Sequence, residues 1–196
     1  MSKLIWISIS ILIFTCIIFA LVSFSSKNIE TPDYKILKTV DEVEIRLYPK
    51  MIVAKTSLQD NSFENNGSNG FRTIANYIFG GNEKNEKIAM TAPVVMNMGD
   101  SATMYFVMPK KYAKNELPTP SSKNVQIIEE ESKIIAVIQY GGYSSDEKIK
   151  KHCNELQRVL AKNNIKVKGA FMYMGYNAPW DIINRRNEVA IEVIPD

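Results

Sequence analysis

Polar residues alternate with β-branched and aromatic ones along three early stretches of the chain, Tyr34–Leu37, Val43–Tyr48 and Ile52–Ser57. A period of two predicts half-buried antiparallel strands there. The period then changes: Phe71, Ile74, Ala75 and Ile78 recur at spacings of three and four, which predicts a helix, and Gly80-Gly81 supplies the residue type that ends one. The preceding segment, Asn61 to Gly70, is so rich in Asn, Ser and Gly that it reads as a loop. Two further strands follow, Lys87–Met98, interrupted by Pro93, and Thr103–Met108.

A proline- and serine-containing break from Pro109 to Lys123 precedes a second passage through the same order. Val125–Glu129 and Ile134–Tyr140 read as strands. Gly141-Gly142 turns the chain, and Ser144 with Glu147 three residues on forms a capping box for a helix running to about Asn163. Ile149, Cys153, Leu156 and Leu160 make its apolar stripe. Phe171–Tyr176 and Glu188–Ile194 supply the last strands. The expected fold class is therefore α+β: duplicated ββαββ units whose strands merge into one antiparallel, barrel-like sheet with two packed helices, since either half alone would leave an apolar face exposed. The groove between helix and sheet is the natural ligand site.

The N-terminus has a different pattern. Leu4 to Phe24 is 21 residues without a charge, enough at about 1.5 Å per residue to cross the roughly 30 Å hydrocarbon core of a bilayer. A cleaved signal peptide, with Lys3 as its basic region and Ser23 and Ser25 before the cut, is the competing reading. The apolar run exceeds the ~7–15 residues usual in such peptides and favours an uncleaved transmembrane anchor. Residues 4–24 are thus the expected anchor, 25–31 a short linker and 32–196 the folded domain. Lys3 favours the extracytoplasmic side for the domain, although Lys27 weakens the asymmetry.

Composition narrows the function. The formal charge of +3 is spread over 24 basic and 21 acidic residues with no long block of one sign, which argues against nucleic acid as a partner. Cys16 lies inside the apolar run and Cys153 in the domain, so no disulfide staples the domain and its core must suffice. No Gly-x-Ser-x-Gly elbow, Cys/His cluster or phosphate-binding glycine motif occurs, and there is one histidine, so no catalytic residue and no catalytic cofactor are assigned. Carboxylate chemistry stays open, because spatial pairing of acids is invisible in a sequence.

Several segments resemble the SOUL haem-binding protein family: Glu44-Ile45-Arg46-Leu47-Tyr48, Tyr77-Ile78-Phe79-Gly80-Gly81-Asn82, Lys87-Ile88-Ala89-Met90-Thr91-Ala92-Pro93-Val94, Tyr176-Asn177-Ala178-Pro179-Trp180 and Arg185-Arg186-Asn187-Glu188-Val189. The resemblance implies a duplicated barrel-like fold with two helices and a hydrophobic cleft in which some members hold haem or a free porphyrin. It also implies kinship in fold with bacterial drug-binding regulatory domains. One departure matters: where some members carry a histidine proposed as an axial iron ligand, this chain has Leu47.

The expected ligand is thus haem, another tetrapyrrole or a similarly flat hydrophobic molecule. Phe71, Ile74, Ala75 and Ile78 would form the apolar wall and Arg72 the mouth, where a guanidinium would pair with a propionate; Met90 and Met104 join them through the resemblance. No metal ligand is assigned. His152 lies beside the apolar stripe of its helix and reads as a boundary residue bonded to a neighbour or water. The methionines of the strands read first as core filling, with a soft wall for a large flat guest as the functional reading. Two alternatives remain: an enzyme on the same fold, hydrolytic or demetallating, which requires a buried acid in the groove, and an interaction module, whose groove its own side chains would fill.

Overall fold

The computed structural model describes residues 29–195, apart from 179, 180 and 182, together with Trp6, Ser8 and Ile9 near the start. The remainder of the candidate anchor 4–24, and most of the linker, lie outside the described residues. Among the described residues no helix is long and apolar enough to cross a membrane.

Among the described residues from 29 on, nine strands and two helices follow in the order β1 (Lys35–Val40), β2 (Val43–Tyr48), β3 (Met51–Ser57), α1 (Phe63–Ile78), β4 (Val94–Asn97), β5 (Thr103–Val107), β6 (Gln126–Glu130), β7 (Lys133–Gly141), α2 (Asp146–Lys162), β8 (Val167–Gly175) and β9 (Arg186–Val193). All strands join one antiparallel sheet in the order β1-β2-β7-β9-β8-β4-β5-β3-β6. The sheet curls into a half-barrel and does not close; β1 and β6 are its two edges. Setting β1 aside and exchanging β2–β5 for β6–β9 turns the remaining order into its own reverse, so the topology is two-fold. The symmetry passes through the central pair β4/β8, where Val95 faces Met174 and Met96 faces Tyr173. The repeat read from the sequence is present, with β1 as an addition to it.

Strand alternation divides the apolar residues between the two sheet faces. Ala54, Phe106, Ala136, Ile138, Val189 and Ile191 point to the side carrying both helices, where they pack with Ile74 and Ile78 of α1 and Leu156 and Leu160 of α2. Val53, Tyr105, Val107, Ile135, Val137, Met172, Met174 and Ala190 point to the other face and meet one another across the curl. The curled face is nearly full: its residual cavity, lined by Tyr48, Tyr105, Met172 and Met174 among others, holds only about 10 Å³. Glu188 is completely buried on this face and accepts two bonds from Arg46, at 2.9 and 3.1 Å. Arg186 reaches the same carboxylate at 2.7 Å and the Tyr176 hydroxyl donates to it at 2.8 Å. Burial alone would lower the Arg46 pKa, but the bonds and charge of Glu188 outweigh it and raise the value. The polar residues of the two Arg- and Glu-containing motifs thus join β2 to β9 across β7.

Three expectations are corrected. Residues 61–70 are not a loop: α1 starts at Phe63, capped by Ser62, whose Oγ accepts from Asn65 N at 3.1 Å. Asp146 at the start of α2 accepts from Ser62 Oγ at 2.6 Å and from Phe63 N at 2.7 Å, and Phe63 packs edge-on against Tyr173 at 4.8 Å. Tertiary contacts therefore override a weak local propensity. Second, the cap of α2 is Ser145, which accepts from Lys148 N at 3.2 Å, because Ser144 is committed to the Tyr140 hydroxyl at 3.0 Å. Third, residues 87–93 are irregular and β4 begins after Pro93; Thr91 Oγ1 instead donates to Val107 O.

The two ends of the domain's chemistry give measurable consequences. Removing Glu188 leaves the buried Arg46 with the partly exposed Glu44 as its remaining carboxylate, at 2.7 Å, so Glu188→Ala is expected to destabilise the protein by about 3 kcal/mol, whereas Arg46→Met combined with Glu188→Leu should cost clearly less than the sum of the single changes. Urea unfolding followed by circular dichroism checks both, and additive costs would mean the pair is not coupled. Half-buried Cys153 has its thiol pushed up to about 11, chiefly by burial. Its thiolate fraction near pH 7 is about two orders of magnitude below that of a thiol titrating at the ordinary value. Alkylation at Cys153, read by peptide mass spectrometry, should therefore be slow at pH 8 and accelerate toward pH 11. Because the folded value is the raised one, its contribution to stability falls as pH rises through the same window.

Candidate ligand cleft

Against the first half of α1 the helix-side face leaves a cleft of about 600 Å³, within the range of about 300–1,000 Å³ usual for small-molecule sites. Phe63, Gly67 and Phe71 recur every fourth residue and form one wall, with Glu64, Ser68 and Arg72 along its rim. Val94 and Met96 of β4, Met104 of β5 and Tyr173 and Gly175 of β8 make the floor. Tyr143 and Ser144, before α2, and Asn177 and Arg185, between β8 and β9, make the opposite wall.

The space exists because of what α1 presents to the sheet. Gly67 puts no side chain into the cleft between Phe63 and Phe71. Gly70 lies so close to the loop after β3 and to β5 that a Cβ there would stand 2.6 Å from Leu58 Cδ2 and 3.0 Å from Met104 Sδ. The helix therefore sits down on the sheet at Gly70 and stands off it one turn earlier. Phe71 packs on Phe106 at 5.4 Å, and Tyr173 is fixed by a 2.8 Å bond from its hydroxyl to Asn187 Oδ1. Burial raises the Tyr173 pKa, so the group facing the cleft is a neutral phenol.

Of the residues expected from sequence, Phe71, Arg72 and Met104 line this cleft. Ile74, Ala75 and Ile78 do not: they turn further under the helix and are buried in the core, at 0%, 6% and 0% exposure. Met90 is half-buried against that same core and away from the cleft lining. Met96 takes the place expected of it. Arg72 is exposed and folded back on its own helix, donating to Ser68 O at 3.3 Å and to Asn69 Oδ1 at 2.8 Å. His152 lies flat on the Tyr140 ring at 4.1 Å with Nδ1 3.0 Å from Glu155 Oε2, and it is not among the lining residues. Tyr176 faces the curled side, bonded to Glu188, and Trp180 lies outside the described residues.

Phe63, Gly67, Tyr143 and Arg185 were not singled out beforehand. The four-residue spacing of Phe63, Gly67 and Phe71 is the signal that would have found the first two, had the Asn/Ser/Gly composition not pointed to a loop. Tyr143 has no local signal, and the motif that contains Arg185 does not point to the cleft, because the sheet topology alone brings their loops together.

A second depression of similar size, about 590 Å³, runs beside β3 and β6, but its lining of Lys55, Thr56, Gln59, Thr73, Lys123 and Gln126 is polar. The α1 cleft is the apolar one, and its single acidic lining residue, Glu64, is exposed.

Comparison with known proteins agrees with this architecture. Human heme-binding protein 2 is 28% identical over 179 residues, which cover 84% of this chain and 86% of that protein. Heme-binding protein 1 of Xenopus laevis is 25% identical over 142 residues, covering 68% and 74%. In three dimensions the chain is similar to the C-terminal domain of EcmrR, with a TM-score of 0.60 at 11% identity over 83% of this chain and 99% of that one. It is also similar to a hydrolase from Listeria innocua, with a TM-score of 0.55 at 7% identity over 81% and 94%; likenesses this distant establish the fold alone. The pattern of the SOUL heme-binding protein family matches residues 29–192, the whole sheet except the last residue of β9 together with both helices, and the chain belongs to that family.

Proposed function

We propose that the protein binds haem or a related tetrapyrrole in the α1 cleft, without a histidine ligand to the iron, and holds this site at a membrane through residues 4–24. The observation that carries the reading is the open apolar cleft itself, walled by Phe63 and Phe71 and floored by Val94, Met96 and Met104. Its chemistry suits a flat hydrophobic ring, and membership of a family whose relatives are named for haem binding supports that choice of guest. An interaction module without a ligand would have its groove filled by its own side chains, and this groove is open. An enzyme would call for a buried acid in the cleft; the buried acid among the described residues, Glu188, lies on the opposite face, held by two arginines.

Met96 and Met104 are the thioethers of the floor, and no histidine is among the described lining residues. Ring stacking and apolar burial would then supply the affinity, and iron should matter little. Titrating the full-length chain with haem, followed in the Soret region, is expected to give saturable one-to-one binding with no low-spin spectrum. Metal-free protoporphyrin should bind within about tenfold of haem. Gly67→Leu fills the cleft from a position where an added Cβ makes only ordinary contact, 3.4 Å from the Phe63 ring. It should weaken both ligands at least tenfold with the thermal midpoint preserved, and undiminished binding by this variant would place the ligand elsewhere.

The anchor is supported by length and lack of charge. After alkaline carbonate extraction of expressing cells the chain is expected to stay with the membranes at its full mass, and added protease should reach the domain from the extracytoplasmic side. Release of a shortened chain would instead indicate a cleaved signal peptide.

A further inference from the structure

We propose that Arg185 makes the cleft selective for flat ligands that carry a carboxylate, a specificity that rests on the cleft being the ligand site. Two guanidinium groups line it, and they are held differently. Arg72 is exposed on its helix, and its bonds are to neighbours in the same turn. Arg185 is fixed in place: Nη1 donates to Ala178 O at 2.9 Å and to Asp181 O at 2.7 Å, and the guanidinium carbon stands 4.4 Å over the centre of the Tyr143 ring. Tyr143 is placed in turn by Lys148, whose ammonium donates to Gly141 O at 2.6 Å and Tyr143 O at 3.2 Å, while Asn187 Nδ2 donates to Gly142 O at 2.7 Å.

Both carbonyls engage one corner of the guanidinium. The opposite edge, formed by Nε and Nη2, makes no hydrogen bond among the described residues, and Nε is buried with no partner among them. A buried donor left unmade is costly, and a fully charged one more so. Arg185 makes no ion pair with the described acids, and the cleft's acidic lining residue, Glu64, is exposed across the gap on α1. A carboxylate presents two oxygens at the spacing of two parallel N–H donors, which is the arrangement this edge offers. Because the plane is already set by the two carbonyls and the tyrosine ring, little side-chain freedom remains to be lost on binding.

The test compares protoporphyrin with its dimethyl ester, which keeps the ring and removes both negative charges, on the full-length chain by fluorescence titration. The wild-type protein should bind the diacid at least tenfold tighter than the ester. In Arg185→Met that advantage should fall to about onefold with the ester still bound, while Arg158→Met, which removes an exposed arginine of α2 away from the cleft, should keep it. Should Arg185→Met also lose the ester because its loop is disturbed, Arg185→Lys retains the charge without the fork and should hold the ester while reducing the advantage below threefold. Equal wild-type affinities for diacid and ester, or a full advantage surviving in both Arg185 variants, would overturn this assignment and leave porphyrin binding standing. Failure of both compounds to bind the wild-type chain would overturn the tetrapyrrole reading and this assignment with it.

Discussion

A sheet whose residues are apolar on both faces has to cover both, and this requirement governs the rest of the domain. Helices α1 and α2 cover one face. Among the described residues no element covers the other, and the sheet curls until Val53, Tyr105, Val137, Met172 and Ala190 pack against one another. Curling brings β2 and β9 close across β7 on the inner side, where Arg46, Glu188, Arg186 and Tyr176 share one carboxylate. A buried ion pair is weak evidence for stability as such. Its value here is that only one register of β2 and β9 satisfies all these donors together, which pins the curl. With the inner face closed to about 10 Å³, space for an apolar guest remains on the helix side.

The two-fold topology sharpens the question of why one helix opens a cleft and the other does not. Both helices lie on matching strands, yet α2 fills its interface with Ile149, Leu156, Val159 and Leu160. The first turns of α1 have Gly67 and Gly70 in the corresponding role, flanked by Phe63 and Phe71. Large side chains at the ends and none between leave a slot with aromatic walls. Asymmetry between the halves thus comes from side-chain volume and not from backbone topology, and it is what opens an apolar cleft beside α1 and not beside α2.

Legibility of the sequence follows the range of the forces involved. Strand positions, the duplicated order and the apolar stripe of α2 were readable because alternation and helical spacing are local consequences of burial. Phe71 and Arg72, read from helical spacing, and Met104, added through the resemblance, all line the cleft. Ile74, Ala75 and Ile78 do not, because one apolar helix face contains both the residues under the helix and those at its margin, and spacing cannot tell which margin stands clear of the sheet. Arg185 lay inside a recognised motif, yet its role depends on Tyr143, some forty positions earlier in the chain. Only the pairing of β7 with β9 brings the two together.

The largest misreading, residues 61–70, is also the most informative, because local preference and tertiary structure conflict at the wall of the site. Gly, Asn and Ser are poor helix formers in solution, and two glycines alone cost a helix interior about 2 kcal/mol relative to alanine. What offsets this is not in the segment: the Asp146 carboxylate, from the first turn of α2, accepts from Ser62 and Phe63 at the N-terminus of α1, and Phe63 is held by the Tyr173 ring. Real proteins depart from local consistency where function requires a shape that consistent sequences would not give. A better helix former at 67 or 70 would put bulk into the slot or lift α1 from Met104. The weak half-helix is therefore the condition for having the cleft, and its dependence on contacts from α2 and β8 ties the shape of one wall to the helix that follows Tyr143 and Ser144 of the opposite wall and to a strand of the floor.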